Sequence, residues 1–312
     1  MRKIVFGPVP SRRLGYSLGV NNVYDKYCSY SCIYCQAGRT TRLVIDRMKF
    51  YDIDELVQQV IIEANKKKPD VVSFVPNGEP TLDINLGREA ELIKKELNLP
   101  LAIFTNSSLL TRQDVIDDLM FFDIVSIKID TVKHETWRKI NRPHSKLCLE
   151  EILDSIKSFS KQYKGRLITE TMLVKGVNNN EEEYESIAEF IACLRVDKVY
   201  IQAPIRPPAE KWVKPPSEDE FTKAYHIFHK YLGGKVELLI SSEPKSFKFT
   251  DNLVEEIAST IYVHPIRIDY VSELAVKHGK NAEHIIDELL RNKIAKIVEY
   301  EGKKFLVPAI RR

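Results

Sequence analysis

Residues 28–35 read Cys28-Ser29-Tyr30-Ser31-Cys32-Ile33-Tyr34-Cys35, three thiols at spacings of four and three with an aromatic before the last. Thiolate sulfur is the soft donor that iron–sulfur clusters use. A loop this short can wrap three corners of a cubane and leave the fourth iron open. A structural zinc site asks for a fourth ligand nearby, and neither His134 nor His144 nor a later histidine follows at a finger-like spacing. Zinc therefore stands as the weaker alternative. The two remaining cysteines, Cys148 and Cys193, lie alone in helix-like sequence and are expected to be small buried hydrophobes. Five cysteines with three clustered make no disulfide framework and point to metal ligation in a reducing compartment.

Outward from this loop, residues 14 to 240 alternate short β-branched runs with longer amphipathic ones, the pattern of a parallel sheet covered by helices. The runs 17–23, 71–75, 101–105, 124–129, 167–173 and 198–202 read as strands. The stretches 53–68, 86–97, 112–122, 149–163 and 181–194 space their apolar residues at three and four and read as helices. After the Pro-rich stretch 203–216, a helix over 218–232 and a short run at 236–240 complete this part. Six βα units predict an α/β fold, an open, partial (β/α)6 barrel whose functional residues gather at the C-terminal ends of its strands.

The texture then changes. Helices are predicted over 252–262, 270–278 and 282–292, followed by β-like runs at 297–300 and 304–308. Three helices ending in a hairpin predict a winged-helix-like α+β domain, so the chain divides into 1–244 and 245–312. Such a domain would present 282–292 and the turn at 301–304 to a nucleic-acid groove, although Glu283, Asp287 and Glu288 on that helix oppose phosphate. Peptide contact and a structural role stay open beside it.

With 47 basic against 44 acidic residues the formal charge is +3, so any preference for an acidic partner must come from local patches. No uncharged apolar run approaches the roughly 20 residues that cross a bilayer. The basic N-terminus leads into Pro-rich sequence rather than a signal-peptide core, and the expected location is cytoplasmic.

The CxxxCxxC spacing after a strand, with Tyr34 before the last cysteine, resembles the signature of the radical SAM superfamily. The resemblance implies a [4Fe-4S] cluster held by Cys28, Cys32 and Cys35, with S-adenosylmethionine (SAM) on the open iron. It implies reductive cleavage of SAM to a 5′-deoxyadenosyl radical and an electron donor of the ferredoxin or flavodoxin type. Asn77-Gly78-Glu79-Pro80 after the second strand, which alone would read as a turn, is similar to the family's Gly-Gly-Glu-Pro segment that receives the SAM ammonium group. Asn77 stands where the family has its first glycine. The same resemblance makes Tyr34, Asn106, Ser126 and Lys128 cofactor-binding candidates; a solvated strand end capped by Asp130 is the alternative for the strand-end groups. The segments 173–178 and 202–204 resemble those that flank ribose and adenine.

The N-terminal stretch Phe6-Gly-Pro-Val-Pro-Ser11-Arg12-Arg13-Leu-Gly15 resembles a subgroup grouped with wyosine-synthase-like proteins. That neighbourhood implies a macromolecular substrate, a tRNA base somewhat ahead of a peptide or protein. Arg12 and Arg13 are the substrate-binding candidates, because paired guanidinium groups can grip phosphate or carboxylate, on substrate or on cofactor; a structural salt bridge is the equal alternative for one of them. True wyosine synthases carry a second cysteine cluster, and this chain has none. Two other readings are weighed: a regulator that senses SAM or redox state and binds DNA through the winged helix, and an activase that makes a glycyl radical on a partner. Tyr16, Tyr24, Glu170 and Arg206 are noted as residues that could face the barrel interior. No catalytic acid or base is assigned.

Overall fold

A computed structural model of the chain describes residues 4–24, 26–240, 247–250 and 252–310. In chain order it runs β1 (Val5–Ser11), β2 (Gly15–Val20), the short β3 (Tyr27–Cys28) and β4 (Arg42–Leu43), then α1 (Ile53–Lys67) and β5 (Val71–Phe74). There follow α2 (Leu86–Glu96), β6 (Leu101–Thr105), α3 (Gln113–Leu119), β7 (Ile124–Lys128), α4 (His134–Ile140) and α5 (Leu149–Gln162). Next come β8 (Arg166–Met172), α6 (Glu181–Ala192), β9 (Lys198–Gln202), α7 (Glu218–Leu232) and β10 (Val236–Leu239). The C-terminal part is α8 (Leu253–Ile261), β11 (Ile266–Arg267), α9 (Ile268–Lys277), α10 (Ala282–Arg291), β12 (Ala295–Tyr300) and β13 (Lys303–Pro308).

Eight strands form one sheet in the order β1-β2-β5-β6-β7-β8-β9-β10. All neighbours from β2 onward pair parallel, and only β1 runs antiparallel, to β2. The expected βα units are present, each helix returning the chain to the start of the next strand as a parallel sheet requires. One face of each strand is apolar and meets the helices: Val72 and Phe74, Leu101 and Ile103, Val125 and Ile127, and Val199 and Ile201 share one core with Leu56, Val60, Ile93, Ile152 and Ile187. Fully burying a side chain of this size contributes about 1.5–3 kcal/mol.

Helix ends are set locally. Asp52 accepts from the Glu55 amide at 3.1 Å to start α1, and Ser217 with Glu220 closes a reciprocal capping box at α7.

Three features depart from expectation. β1 pairs along β2 although it contains two prolines; at the edge of a sheet a missing amide donor costs little. α4 is a short helix where none was predicted. Cys193 is exposed at the C-cap of α6, and Cys148 is half-buried at the N-cap of α5 with its thiol 3.1 Å from Glu150, so neither is a core residue. Both sit at helix ends, where the apolar spacing that suggested burial has already run out.

The last six elements build a three-stranded antiparallel sheet, β11-β13-β12, against three helices. This unit does not hang free. Phe6 and Val9 of β1 share a core with Phe247, Leu253, Ile257, Ile261 and Leu306, so the N-terminal strand is covered by the C-terminal helices.

Candidate functional site

The strands end around a cavity of about 330 Å³. The cysteine loop forms one side. β3 and β4 pair in parallel and hold its two ends together, Cys28 opposite Leu43, while the Cys35 amide closes a turn on the Cys32 carbonyl at 3.1 Å. Cys28, Cys32 and Cys35 all line the cavity.

Each of the three sulfurs has its own nitrogen donor. Lys26 Nζ lies 3.0 Å from Cys35 Sγ, Asn141 Nδ2 3.4 Å from Cys32 Sγ, and Asn106 Nδ2 3.6 Å from Cys28 Sγ. Burial pushes the Cys28 thiol up to about 12, and burial followed by the Asp130 charge pushes the Cys32 thiol up as well. Thiols so placed stay protonated until a cationic metal centre draws them into thiolates. Burial opposes the charge on Lys26, but the negative charge of the facing Cys35 and Cys28 sulfurs as thiolates outweighs it and holds its ammonium above the usual range. Among the described residues no three His, Cys, Asp or Glu side chains gather as they would around a single ion. A cubane takes one thiolate per iron, and three donor-supplied thiols around one cavity are the set that suits it.

Opposite the loop stands the turn after β5. Gly78 presses its backbone on the loop: a Cβ there would lie 2.0 Å from the Tyr27 carbonyl oxygen. The Glu79 amide donates to that same oxygen at 3.0 Å. The Glu79 carboxylate is buried and gathers donors from Thr105 Oγ1 at 2.5 Å, Thr81 Oγ1 at 2.7 Å and the Asn106 amide at 2.8 Å. Burial nevertheless keeps its carboxyl above the ordinary range. Asn77 and Pro80 flank the turn without lining the cavity; the Asn77 amide donates to Asn21 Oδ1, and the Pro80 carbonyl accepts from Asn22.

The far wall is charged. Lys128 reaches Gln202 Oε1 at 3.0 Å and Glu170 at 3.7 Å, and Arg13 pairs with Glu170 at 2.6 Å while stacking over Phe104. Burial drives the Glu170 carboxyl up, yet Arg13 and Lys128 together hold it below the usual range, so it stays ionised. Ser126 and Arg12 line the same wall. Asp130 turns away from it and receives Tyr34 Oη, Asn141 Nδ2 at 2.7 Å and the Met172 amide at 2.9 Å. It is no helix cap, since α4 begins after Lys133. Tyr34 itself lines the cavity, with Lys128 5.3 Å above its ring.

The residues missed in the sequence are Lys26, Asn141, Gln36 and the Val263-His264 pair. The last two come from the C-terminal unit and line the cavity. Gln36 Nε2 donates to the Val263 carbonyl at 2.9 Å, and Arg206 bridges Gln36 Oε1 at 2.6 Å and His264 Nε2 at 3.2 Å. Lys26 sits two residues before Cys28 and carries a positive φ, which is visible only in three dimensions.

Comparison with known proteins agrees with this geometry. Residues 24–191 match the Radical SAM superfamily. A UPF0026 protein of Methanocaldococcus jannaschii is 44% identical over 312 residues, spanning 99% of this chain and 97% of its own. A UPF0026 protein of Helicobacter pylori strain J99 is 32% identical over 295 residues, 93% of this chain and 92% of its own. Among solved structures, a radical SAM methyltransferase from Sphaerobacter thermophilus superposes with a TM-score of 0.56 at 17% identity, over 72% of this chain and 67% of its own. TYW1 with a lysine-pyruvate adduct bound gives 0.53 at 17% identity, over 69% and 73%. The fold is thus shared with the two solved structures, and the sequence with the two UPF0026 proteins. The chain belongs to the radical SAM superfamily of enzymes.

Proposed function

We propose that Cys28, Cys32 and Cys35 hold a [4Fe-4S] cluster and that the cavity beside them binds SAM for reductive cleavage. The observation that carries this is the convergence of three thiols, each with its own nitrogen donor, on one cavity with Gly78, Glu79 and Asn106. When bound, the cluster supplies one electron to the sulfonium, whose C–S bond breaks to give methionine and a 5′-deoxyadenosyl radical. The protein's part is to bind, orient and exclude water. The Glu79 carboxylate, fixed by three groups, faces the cavity as the acid for an ammonium group; Lys128 and Arg13 offer charge to a carboxylate. Ser126 and Asn106 supply neutral contacts for hydroxyls, and Tyr34, locked by Asp130, sets the wall beside the cluster.

The substrate is a macromolecule in this reading, a tRNA base ahead of a peptide, by resemblance of residues 6–22 to the wyosine-synthase-like subgroup. The segment 245–312 is read as a separate winged-helix-like domain, a reading supported by its helix-strand order and its antiparallel three-stranded sheet. Its Val263 and His264 make a substrate-facing wall the better role than DNA binding in a sensor.

Anaerobic reconstitution with iron and sulfide, dithionite reduction and chromatography for 5′-deoxyadenosine test the proposal. Product is expected from the wild type and none from Cys32→Ala. A bound cluster that never cleaves SAM would bring the sensor reading forward.

A further inference from the structure

Beside the cysteine loop, and outside the cavity lining, the chain is rich in basic residues. Three stretches make this face: residues 37–45 carry two arginines, residues 138–146 four basic side chains and residues 210–214 two lysines, against one acid, Glu210. They meet through the loop itself. The Ser31 amide donates to the Arg142 carbonyl at 3.2 Å, and the Glu210 amide to the Ile33 carbonyl at 3.0 Å. Glu210 is buried and draws Arg39, at 2.8 Å, and Arg142 together, yet their side chains remain 60% and 42% exposed. Beside them Trp212 is half-exposed, while Val213 anchors the segment against Ile33 and Tyr34. Lys214 is offset by Glu301 at 2.7 Å; Arg42 and Lys211 are exposed.

None of Arg39, Arg42, Arg142, Lys211 and Trp212 lines the cavity. The group attacked by the radical must enter that cavity, and this face lies outside it. An electron need only reach the cluster, and Asn141, next to Arg142, already touches the Cys32 sulfur at 3.4 Å. Transient redox partners use small, charged contacts, commonly under about 1,200 Å², with attraction expressed in the association rate.

We propose that this face is the dock for a small acidic one-electron carrier protein of the flavodoxin or ferredoxin type, an inference that rests on the proposed cluster. The reduced carrier loses one electron and the cluster gains it, with no bond made or broken. Arg39, Arg42, Arg142 and Lys211 supply the complementary charge, and Trp212 a flat apolar centre.

The test uses the cluster-loaded protein and a purified acidic flavodoxin, with the double variant Arg42→Glu/Lys211→Glu. Stopped-flow oxidation of the reduced flavin and direct binding are followed at low and high salt. The variant is expected to associate about tenfold or more slowly at low ionic strength, with the gap closing as salt rises. Dithionite, a small reductant, is expected to reduce both proteins alike. Equal flavodoxin rates in variant and wild type would overturn the proposal. So would a single-stranded RNA probe that binds in a salt-dependent way and is lost from the variant while flavodoxin is indifferent. A wild-type protein that yields no 5′-deoxyadenosine with dithionite fails the proposed function, and the flavodoxin binding difference still decides the dock by itself.

Discussion

Lys67 of α1 and Glu256 of α8 lie 2.7 Å apart with both side chains only 4% exposed. Lys67 also donates to the Gly7 carbonyl at 2.6 Å, so one ammonium fastens the first helix, the first strand and the C-terminal unit. Removing one partner of a buried pair leaves the other charge stranded, which costs about 3–5 kcal/mol. Lys67→Ala is expected to lose stability of that order in urea unfolding. Lys67→Met/Glu256→Leu is expected to recover most of it, because the buried pair goes together and the other carboxylate on Lys67, Glu63 at 2.9 Å, is 23% exposed and can be solvated.

Glu89 on α2 is fully buried, and burial first, then the charge of Asp83, pushes its carboxyl well above the ordinary value of 4.5. The folded chain keeps this proton after the unfolded chain has released it. Stability therefore falls as pH rises from about 4.5 through the raised value, and levels off above it. Glu89→Gln carries no titrating proton, so the ratio of its stability to that of the wild type should grow across the same range. Urea midpoints measured from pH 4 to about 9 would show parallel curves if Glu89 were ordinary.

Gly78 has no room for a side chain, since a Cβ would meet the Tyr27 carbonyl at 2.0 Å, next to Cys28. Gly78→Ala must push the cysteine loop outward at a strain cost of about 1–3 kcal/mol. Iron content per chain after reconstitution should drop sharply, while the circular dichroism of the barrel persists. Full iron uptake by the variant would contradict the close packing.

Lys26 places a positive charge and an N–H donor 3.0 Å from the Cys35 sulfur. Both stabilise the more negative, reduced form of a cluster held there. Lys26→Met is expected to lower the midpoint potential on the order of tens of millivolts. An anaerobic redox titration followed by electron paramagnetic resonance reads this directly, whether or not SAM is turned over.

The sheet and the cysteine loop were legible because their signals are local. Apolar residues alternate or repeat within ten positions, and three thiols fall within eight. β1 was not legible, because Gly7, Pro8 and Pro10 suppress a strand signal and its support comes from pairing with β2 and from Phe247 and Leu253. α4 escaped because a two-turn helix shows barely one repeat of its period. His264 at the cavity could not be inferred at all, since it meets Gln36 and Arg206 only through the docking of the C-terminal unit. Asp130 shared the strand alternation of Ser126 and Lys128, but it lies past the end of β7, where the alternation no longer governs direction.

The contact of β1 with the C-terminal helices also bears on how the chain is made. Phe6 leaves the ribosome about 240 residues ahead of Phe247 and Leu253, which cover it. At roughly 5–20 residues per second that interval is about 10–50 s, during which the apolar face of an edge strand waits uncovered. The nascent protein thus carries a sticky strand until these helices have been made, and its cavity acquires the Val263-His264 wall only after that interval.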